Sequence, residues 1–278
     1  MEVNSAMRFD YSLRLLTDKS WQKPQFHFHD NYEILFSLTT AGSIFIDNEL
    51  FPLENGTLCL IQAGCLHRTR SEVDEFKRYV LQFPETILRD LSDGTDPVAS
   101  VLNRTYLCTL LSPQDYIQLN YLFDRLYTLS GAERGNTFQC NIALLEILYY
   151  IGNILGEPFE EGQPVTSPDY KRIRPVLDYI QEHLDEPLPL DTLSGEFYLS
   201  KHYFCHLFKK VTGFSATEYI IRNRLAQARS LLRSGVSVQE AGERSGFGSN
   251  AHFIKTFTNV VGTSPGRYAR EYRSSHKI

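Results

Sequence analysis

Leu190-Asp-Thr-Leu193-Ser-Gly-Glu-Phe-Tyr-Leu199-Ser200-Lys-His-Tyr-Phe204-Cys-His-Leu207-Phe208-Lys-Lys-Val-Thr-Gly213 is followed further along the chain by Val238-Gln-Glu-Ala241-Gly242-Glu-Arg-Ser-Gly246-Phe247-Gly-Ser249-Asn-Ala-His-Phe253-Ile-Lys-Thr-Phe257-Thr-Asn-Val-Val-Gly262. Both runs have the same layout. A short helical segment leads into a tight turn, a serine caps a second helix, and a glycine stops it. Phe204, Leu207 and Phe208 recur at helical spacing, as do Phe253 and Phe257, so these side chains are expected to face a core. Ser194 and Gly242 are small where the first helix must approach the second. Gly246 supplies the positive φ of the second turn. Two helix-turn-helix units, 190–213 and 238–262, are therefore predicted.

With the inner face assigned, the outer one follows. It carries Lys201, His202, Cys205 and His206 on the first recognition helix, and Asn250, Ala251, His252 and Lys255 on the second. Polar side chains near a helix N-terminus are suited to base edges in a major groove. Ala251 can offer only a contact to a thymine methyl. Ala216 to Arg233 predicts a rod of about 18 residues, roughly 27 Å long. Such a rod can space two readers about one DNA turn, ~34 Å, apart. Arg222, Arg224, Arg229 and Arg233 on this rod are candidates for phosphate contacts, and Ser215-x-x-Glu218 and Ser237-x-x-Glu240 read as capping boxes.

Charge agrees with this division. Up to Pro168 there are 12 Lys+Arg against 22 Asp+Glu, and from Asp169 onward 16 against 11. The overall −5 thus hides a basic half suited to a polyanion. The boundary is Gly156 to Pro168, with three prolines and two glycines in thirteen residues, which neither continue a helix nor pair in a sheet. The predicted organisation is a domain over 1–155, a linker over 156–168 and a helical domain over 169–278. Apolar residues at 42% and charged residues at 22% exclude a disordered chain. Cys59, Cys65, Cys108, Cys140 and Cys205 are widely spaced with no Cys-x-x-Cys pair. This argues against a disulfide framework and for a reducing cytoplasm. The longest apolar stretch, Ile142 to Leu155, falls short of the ~20 residues that cross a bilayer, so no membrane partner is expected.

Before the linker, Tyr32–Leu38, Ser43–Asp47, Thr57–Ile61 and Arg78–Phe83 read as short strands. They are punctuated by turn signals such as Asp47-Asn48 and Asn55-Gly56, and predict a small sandwich or barrel. Helices are predicted over 113–129 and 137–155. They carry more apolar positions than one buried stripe requires, among them Ile117, Leu122, Ile142 and Tyr149. The surplus points to a homodimer face, with packing against the strands as the alternative.

Residues from about 170 to 273 resemble the DNA-binding domain of the AraC/XylS family of bacterial transcription regulators. The resemblance rests on Ser200-x3-Phe204-x3-Phe208-Lys209, Thr212-Gly213-x5-Tyr219, Arg224-Leu225-x2-Ala228-x2-Leu231-Leu232, Gly246-Phe247-x5-Phe253-x3-Phe257 and Gly262-x2-Pro265. It implies that His202, Cys205, His206, Asn250, Ala251, His252 and Lys255 read bases and that Arg224 is structural. Ala241-Gly242, Ser194 and Thr258 depart from the family pattern, which has Ile-Ala, Ala and a phosphate-contacting Lys there. In the first half, His27-Phe-His29-x3-Glu33 and Gly56-x5-Gln62-Ala-Gly64-x2-His67 resemble the two motifs of cupin barrels. Residues 27, 29 and 33 differ by even numbers and so share one strand face.

By resemblance, then, the fold class is α+β multidomain: a cupin-like β-barrel with two long helices, then an all-α domain with two helix-turn-helix motifs. The implied function is a sequence-specific transcription activator, not an enzyme. Its partners would be double-stranded DNA, RNA polymerase, a second copy of the chain and a small-molecule effector such as a carbohydrate. His27, His29, Glu33 and His67 would line the effector pocket; of Phe26, Phe28, Tyr32, Phe36 and Phe45, some could stack on a sugar ring while most fill the core. No cofactor is expected. If a divalent metal binds, those three histidines and the glutamate are its ligands. Two other readings stay open: a metal-dependent cupin enzyme with a helical regulatory tail, and a helical protein-interaction module.

Overall fold

The computed structural model describes residues 9–19, 31–71, 73–91, 98, 105–131, 137–156, 162, 164–165 and 167–275. The chain divides into two compact units, 1–165 and 166–278.

In the first unit the strands are β1 (Ser12–Lys19), β2 (Asn31–Ser37), β3 (Gly42–Ile46), β4 (Glu49–Leu53), β5 (Thr57–Ile61), β6 (His67–Ser71), β7 (Glu75–Pro84) and β8 (Tyr106–Leu110). They pair antiparallel in two sheets, β1-β7-β2-β5-β8 and β4-β3-β6. The β3–β4 hairpin turns at Asp47 (φ 42°) and Asn48 (φ 72°), as a two-residue turn with left-handed residues does. Among the described residues, three helices accompany the sheets: α1 (Glu85–Leu91), α2 (Pro113–Gly131) and α3 (Thr137–Gly156).

Strand parity splits the core in two. Leu35, Cys59, Ile61, Phe76 and Cys108 of the larger sheet meet Ile44, Ile46, Phe51 and Leu53 of the smaller one. The opposite parity sends Tyr32, Ile34, Phe36, Tyr79 and Leu81 toward Leu119, Phe123, Leu144, Ile147 and Ile151 of α2 and α3. Tyr32 stacks on Phe83, and Phe36 tilts against Phe123. Of the two roles expected for Tyr32 and Phe36, they take the core-filling one, on the helix side of the larger sheet. Each fully buried ring of this kind contributes about 1.5–3 kcal/mol.

By length and composition alone, Thr137–Leu155 is long and apolar enough to cross a membrane. This qualifies the expectation that no stretch is long enough. Its Ala143, Leu144, Ile147, Leu148 and Ile151 are buried in the sheet–helix core.

The segment between the units is anchored at two points. Gly162 N–H donates to Cys108 O (2.8 Å) and Val165 N–H to Leu50 O (2.5 Å). Helix α4 starts at Pro168, with Ser167 as its cap.

The second unit is helical: α4 (Pro168–Glu182), α5 (Leu190–Glu196), α6 (Lys201–Thr212), α7 (Ala216–Arg233), α8 (Val238–Arg244), α9 (Asn250–Val261) and α10 (Pro265–Ser275). Ser215 accepts from Glu218 N–H and the Glu218 carboxylate accepts from Ser215 N–H at 2.9 Å, completing a capping box on α7. At α8 only half of the expected box forms. Ser237 accepts from Glu240 N–H, while the Glu240 carboxylate pairs with Arg244.

Candidate nucleic-acid interface and ligand site

In the first unit of the pair, α5 and α6 meet through buried Leu193 and Ser194 against Phe204, Leu207 and Phe208. In the second, α8 and α9 meet through Ala241 and Gly242 against Phe253 and Phe257. A Cβ on Gly242 would lie 2.7 Å from Cδ1 of the Phe253 ring, so the small residue is set by the closeness of the two helices. The turns share one hydrogen-bond pattern. Leu199 N–H donates to Ser194 O (2.8 Å) and Phe247 N–H to Gly242 O (3.0 Å). The preceding residues, Tyr198 (φ 54°) and Gly246 (φ 77°), are both left-handed. The second turn is longer: Leu199 leads directly into the cap Ser200, whereas Gly248 separates Phe247 from the cap Ser249.

The faces opposite these cores carry the predicted readers. Lys201, His202 and His206 are exposed on α6 and Cys205 is half-buried; Asn250, Ala251, His252 and Lys255 are exposed on α9. Ser200 accepts from Tyr203 N–H and Ser249 from His252 N–H, fixing the first turn of each helix. Lys201 pairs with Asp191 of α5 at 2.8 Å. Thr258 donates its hydroxyl to Ile254 O of its own helix (2.7 Å).

The rod between them is α7, 18 residues long. Three of its four arginines are tied inward, which corrects the reading of Arg229 and Arg233 as phosphate contacts. Arg224 donates to Leu184 O (2.8 Å) and Glu186 O (2.5 Å), the structural role the resemblance implied. Arg229 is buried and donates to Tyr268 Oη (3.2 Å); Arg233 reaches the same oxygen at 2.8 Å. Burial eases the Arg229 proton affinity below its usual value, with Tyr268 opposing. Sequence reading missed another pair at the flank of α6, where Arg172 donates to Tyr203 Oη at 2.9 Å, both residues being exposed. The available signal was Tyr203 itself, an aromatic one position off the core stripe that begins at Phe204.

In the first unit of the chain, Glu33 on β2 and His67 on β6 bring the two sheets together. Both are buried, and His67 Nε2 lies 3.6 Å from Glu33 Oε1. His67 Nδ1 is 3.0 Å from Cys65 O. Gln82 on β7, directly opposite Glu33 in the register, donates to Glu33 Oε2 at 2.7 Å. Burial resists protonation of His67, and the Glu33 carboxylate, aided by hydrogen bonds, outweighs it and raises the imidazole pKa. Sequence reading missed Gln82; its even position on β7, shared with core Phe76, was the signal. His27 and His29 lie outside the described residues. Among the described residues no three His, Cys, Asp or Glu side chains gather as a metal group.

Comparison with known proteins agrees with these two units. A helix-turn-helix domain model matches residues 193–271 and an AraC-like ligand binding domain model matches residues 12–148. The HTH-type transcriptional regulator YdiP of Escherichia coli (strain K12), itself uncharacterised, is 25% identical over 92% of this chain and 84% of its own. The multiple antibiotic resistance protein MarA of Salmonella typhimurium (strain LT2) is 33% identical over 37% of this chain and 81% of its own. A solved structure of the DNA-binding domain of the global transcriptional factor AdpA, in complex with a target DNA, is 31% identical. It covers 38% of this chain and 96% of that one, with a TM-score of 0.37. The two domain models define a transcription regulator with a ligand-binding part followed by a DNA-binding part. The chain belongs to the AraC/XylS family of transcription regulators.

Proposed function

We propose that this regulator is a sequence-specific activator controlled by a small molecule held between the sheets of its first unit. The observation that carries the reading is the pair of exposed polar helix faces, each backed by its own phenylalanine core. Lys201, His202, Cys205 and His206 read one major-groove segment; Asn250, Ala251, His252 and Lys255 read the next. The chain acts in the cytoplasm and contacts RNA polymerase once seated. The effector is polar and hydroxyl-rich, a carbohydrate being the class favoured. Support comes from the buried Glu33 and His67 and the half-buried Gln82, which bring polar groups together between the sheets. The effector works only by binding one arrangement of the protein better than another. No resident metal is required by this reading; His27, His29, Glu33 and His67 are its pocket rather than a metal cage.

The chain works as a homodimer. Most of the apolar surplus on α2 and α3 packs on the sheet, yet Ile117 (68% exposed), Tyr121 (59%), Phe138 (71%) and Tyr149 (56%) stay outside. A second copy on this face would place two tandem readers on one promoter and raise affinity by linkage.

A gel-shift titration tests the reading. Purified chain is expected to bind its own upstream region roughly a thousandfold more tightly than random DNA of equal length. Equal affinity for both removes the sequence-specific regulator. Elemental analysis of protein purified without added metal is expected to find no stoichiometric metal. Metal that is lost on His67→Ala would return the cupin-enzyme reading.

A further inference from the structure

Cys59 of β5 and Cys108 of β8 are direct register partners in an antiparallel pair. The ladder bonds on either side place them. Leu111 N–H donates to Gly56 O (3.1 Å) and Gln62 N–H to Thr105 O (2.9 Å). Hydrogen-bonded and non-hydrogen-bonded pairs alternate, so the 59/108 pair falls at a non-hydrogen-bonded position. There the Cα atoms approach to about 4.5 Å and the side chains lie closest. That spacing is inside the ~4.4–6.8 Å range across which a disulfide closes. Both side chains point into the core between the sheets, and their sulfurs are 3.2 Å apart as free thiols. About 1 Å of sulfur travel separates this contact from a covalent bond.

The geometry points to Cys59 and Cys108 as an oxidisable dithiol site, which one equivalent of hydrogen peroxide closes into a disulfide tying β8 to β5. Cys108 is the first sulfur to react. It sits on the edge strand of its sheet, so opening of that edge exposes it before Cys59, which is shielded by β2 as well. Burial pushes the Cys59 thiol up, so that sulfur stays protonated until it attacks. The Cys108 thiol gives its proton to water, and its Sγ attacks one peroxide oxygen. An S–O bond forms, the O–O bond breaks, and the departing hydroxide takes up the proton as water. Cys59 Sγ then attacks the sulfenyl sulfur. An S–S bond forms, the S–O bond breaks, and the second hydroxide takes the Cys59 proton as a second water. Two thiols and one peroxide thus give one disulfide and two waters.

The site has a built-in connection to the rest of the chain. The carbonyl of Cys108 is the acceptor for Gly162 N–H, one of the anchors of the segment leading to the helical unit. Oxidation fixes the strand on which that anchor sits. The inference stands whether or not the proposed activator reading does, because it concerns only the first unit's own chemistry.

The full-length reduced chain, treated with hydrogen peroxide, denatured and alkylated, is the test. Mass spectrometry is expected to show loss of two hydrogens, alkylation confined to Cys65, Cys140 and Cys205, and a proteolytic peptide joining the Cys59 and Cys108 segments. Dithiothreitol is expected to restore all five alkylatable thiols. Oxidised wild type should melt several degrees above reduced wild type, and Cys108→Ser should show neither the link nor the rise. A native protein whose Cys59 and Cys108 both remain alkylatable after peroxide overturns the site. So does a Cys108 carried on to sulfinic acid without a linked peptide. Both readouts use wild-type protein, so they hold even if the serine variant folds poorly.

Discussion

Gly246 and Leu184 are fitted so closely that the Leu184 carbonyl oxygen occupies the space a Cβ on Gly246 would need. The same oxygen accepts from Arg224 Nε at 2.8 Å, so it is not free to move aside. At φ 77° a non-glycine residue also bears about 1–2 kcal/mol of backbone strain. Gly246→Ala is therefore expected to cost about 2–4 kcal/mol in the helical unit. Far-UV circular dichroism during urea unfolding would measure it. The matching turn residue, Tyr198, is 97% exposed with φ 54°. Tyr198→Gly should raise stability by roughly 0.5–1 kcal/mol, the opposite sign at the equivalent place.

Arg229 and Lys255 should separate structure from binding. Arg229 is buried beneath the Tyr268 ring, its guanidinium 5.4 Å from the centroid. Arg229→Ala strips both the packing and the Tyr268 hydrogen bond, and is expected to destabilise the unit by about 2–4 kcal/mol. Lys255 is exposed, so Lys255→Ala should leave stability within about 0.5 kcal/mol. Its effect should appear in DNA titrations instead. Affinity falls, and the slope of log K against log salt drops by about 0.9 if the ammonium meets a phosphate. An unchanged titration would remove Lys255 from the interface.

The buried pair of His67 and Glu33 gives the first unit a pH signature. The folded imidazole pKa lies above its ordinary value of about 6.5. Its stabilising share is therefore fully present below that ordinary value and is lost as pH rises through the folded pKa. Thermal melting followed by far-UV circular dichroism should show Tm falling over that window. His67→Gln should flatten the dependence. A wild-type Tm that climbs with pH over the same window contradicts the pairing.

Ser215→Ala removes the donor and acceptor that complete the α7 cap, and should cost about 1 kcal/mol. Burial alone would raise the Glu218 carboxyl pKa, but its hydrogen bonds with Ser215 and the nearby Arg222 and Lys209 hold it below the usual range. The share this contributes is present above the unfolded pKa and disappears as pH falls through the folded one. Thermal melts at neutral and acidic pH should show the gap between wild type and Ser215→Ala closing on the acid side.

The helical half was legible because its signals are local. Serine caps, glycine stops and phenylalanines three or four apart each act within one turn of helix, and they place α6 and α9 correctly. The first half depends on partners distant in sequence. Among its described strands, β1, β4 and β8 went unpredicted, and β6 was legible only as a strand bearing Arg68 and Arg70. Pro52 argues against a strand, yet β4 accommodates it at the edge of the smaller sheet. β6, His67–Ser71, is nearly all polar, and only its place opposite β3 makes it a strand. The parity argument that aligned positions 27, 29 and 33 would have turned Tyr32 and Phe36 away from the barrel interior had it been extended to them. Arginines on α7 were legible as basic but not as buried, because Tyr268, which holds two of them, arrives from another helix.

Gly248 makes the second turn one residue longer than the first, so the two helix-turn-helix units differ in backbone as well as in side chains. A binding site for one chain consequently has a head and a tail. Read by both units in turn, such a site would need neither a palindrome nor a tandem copy of one short word.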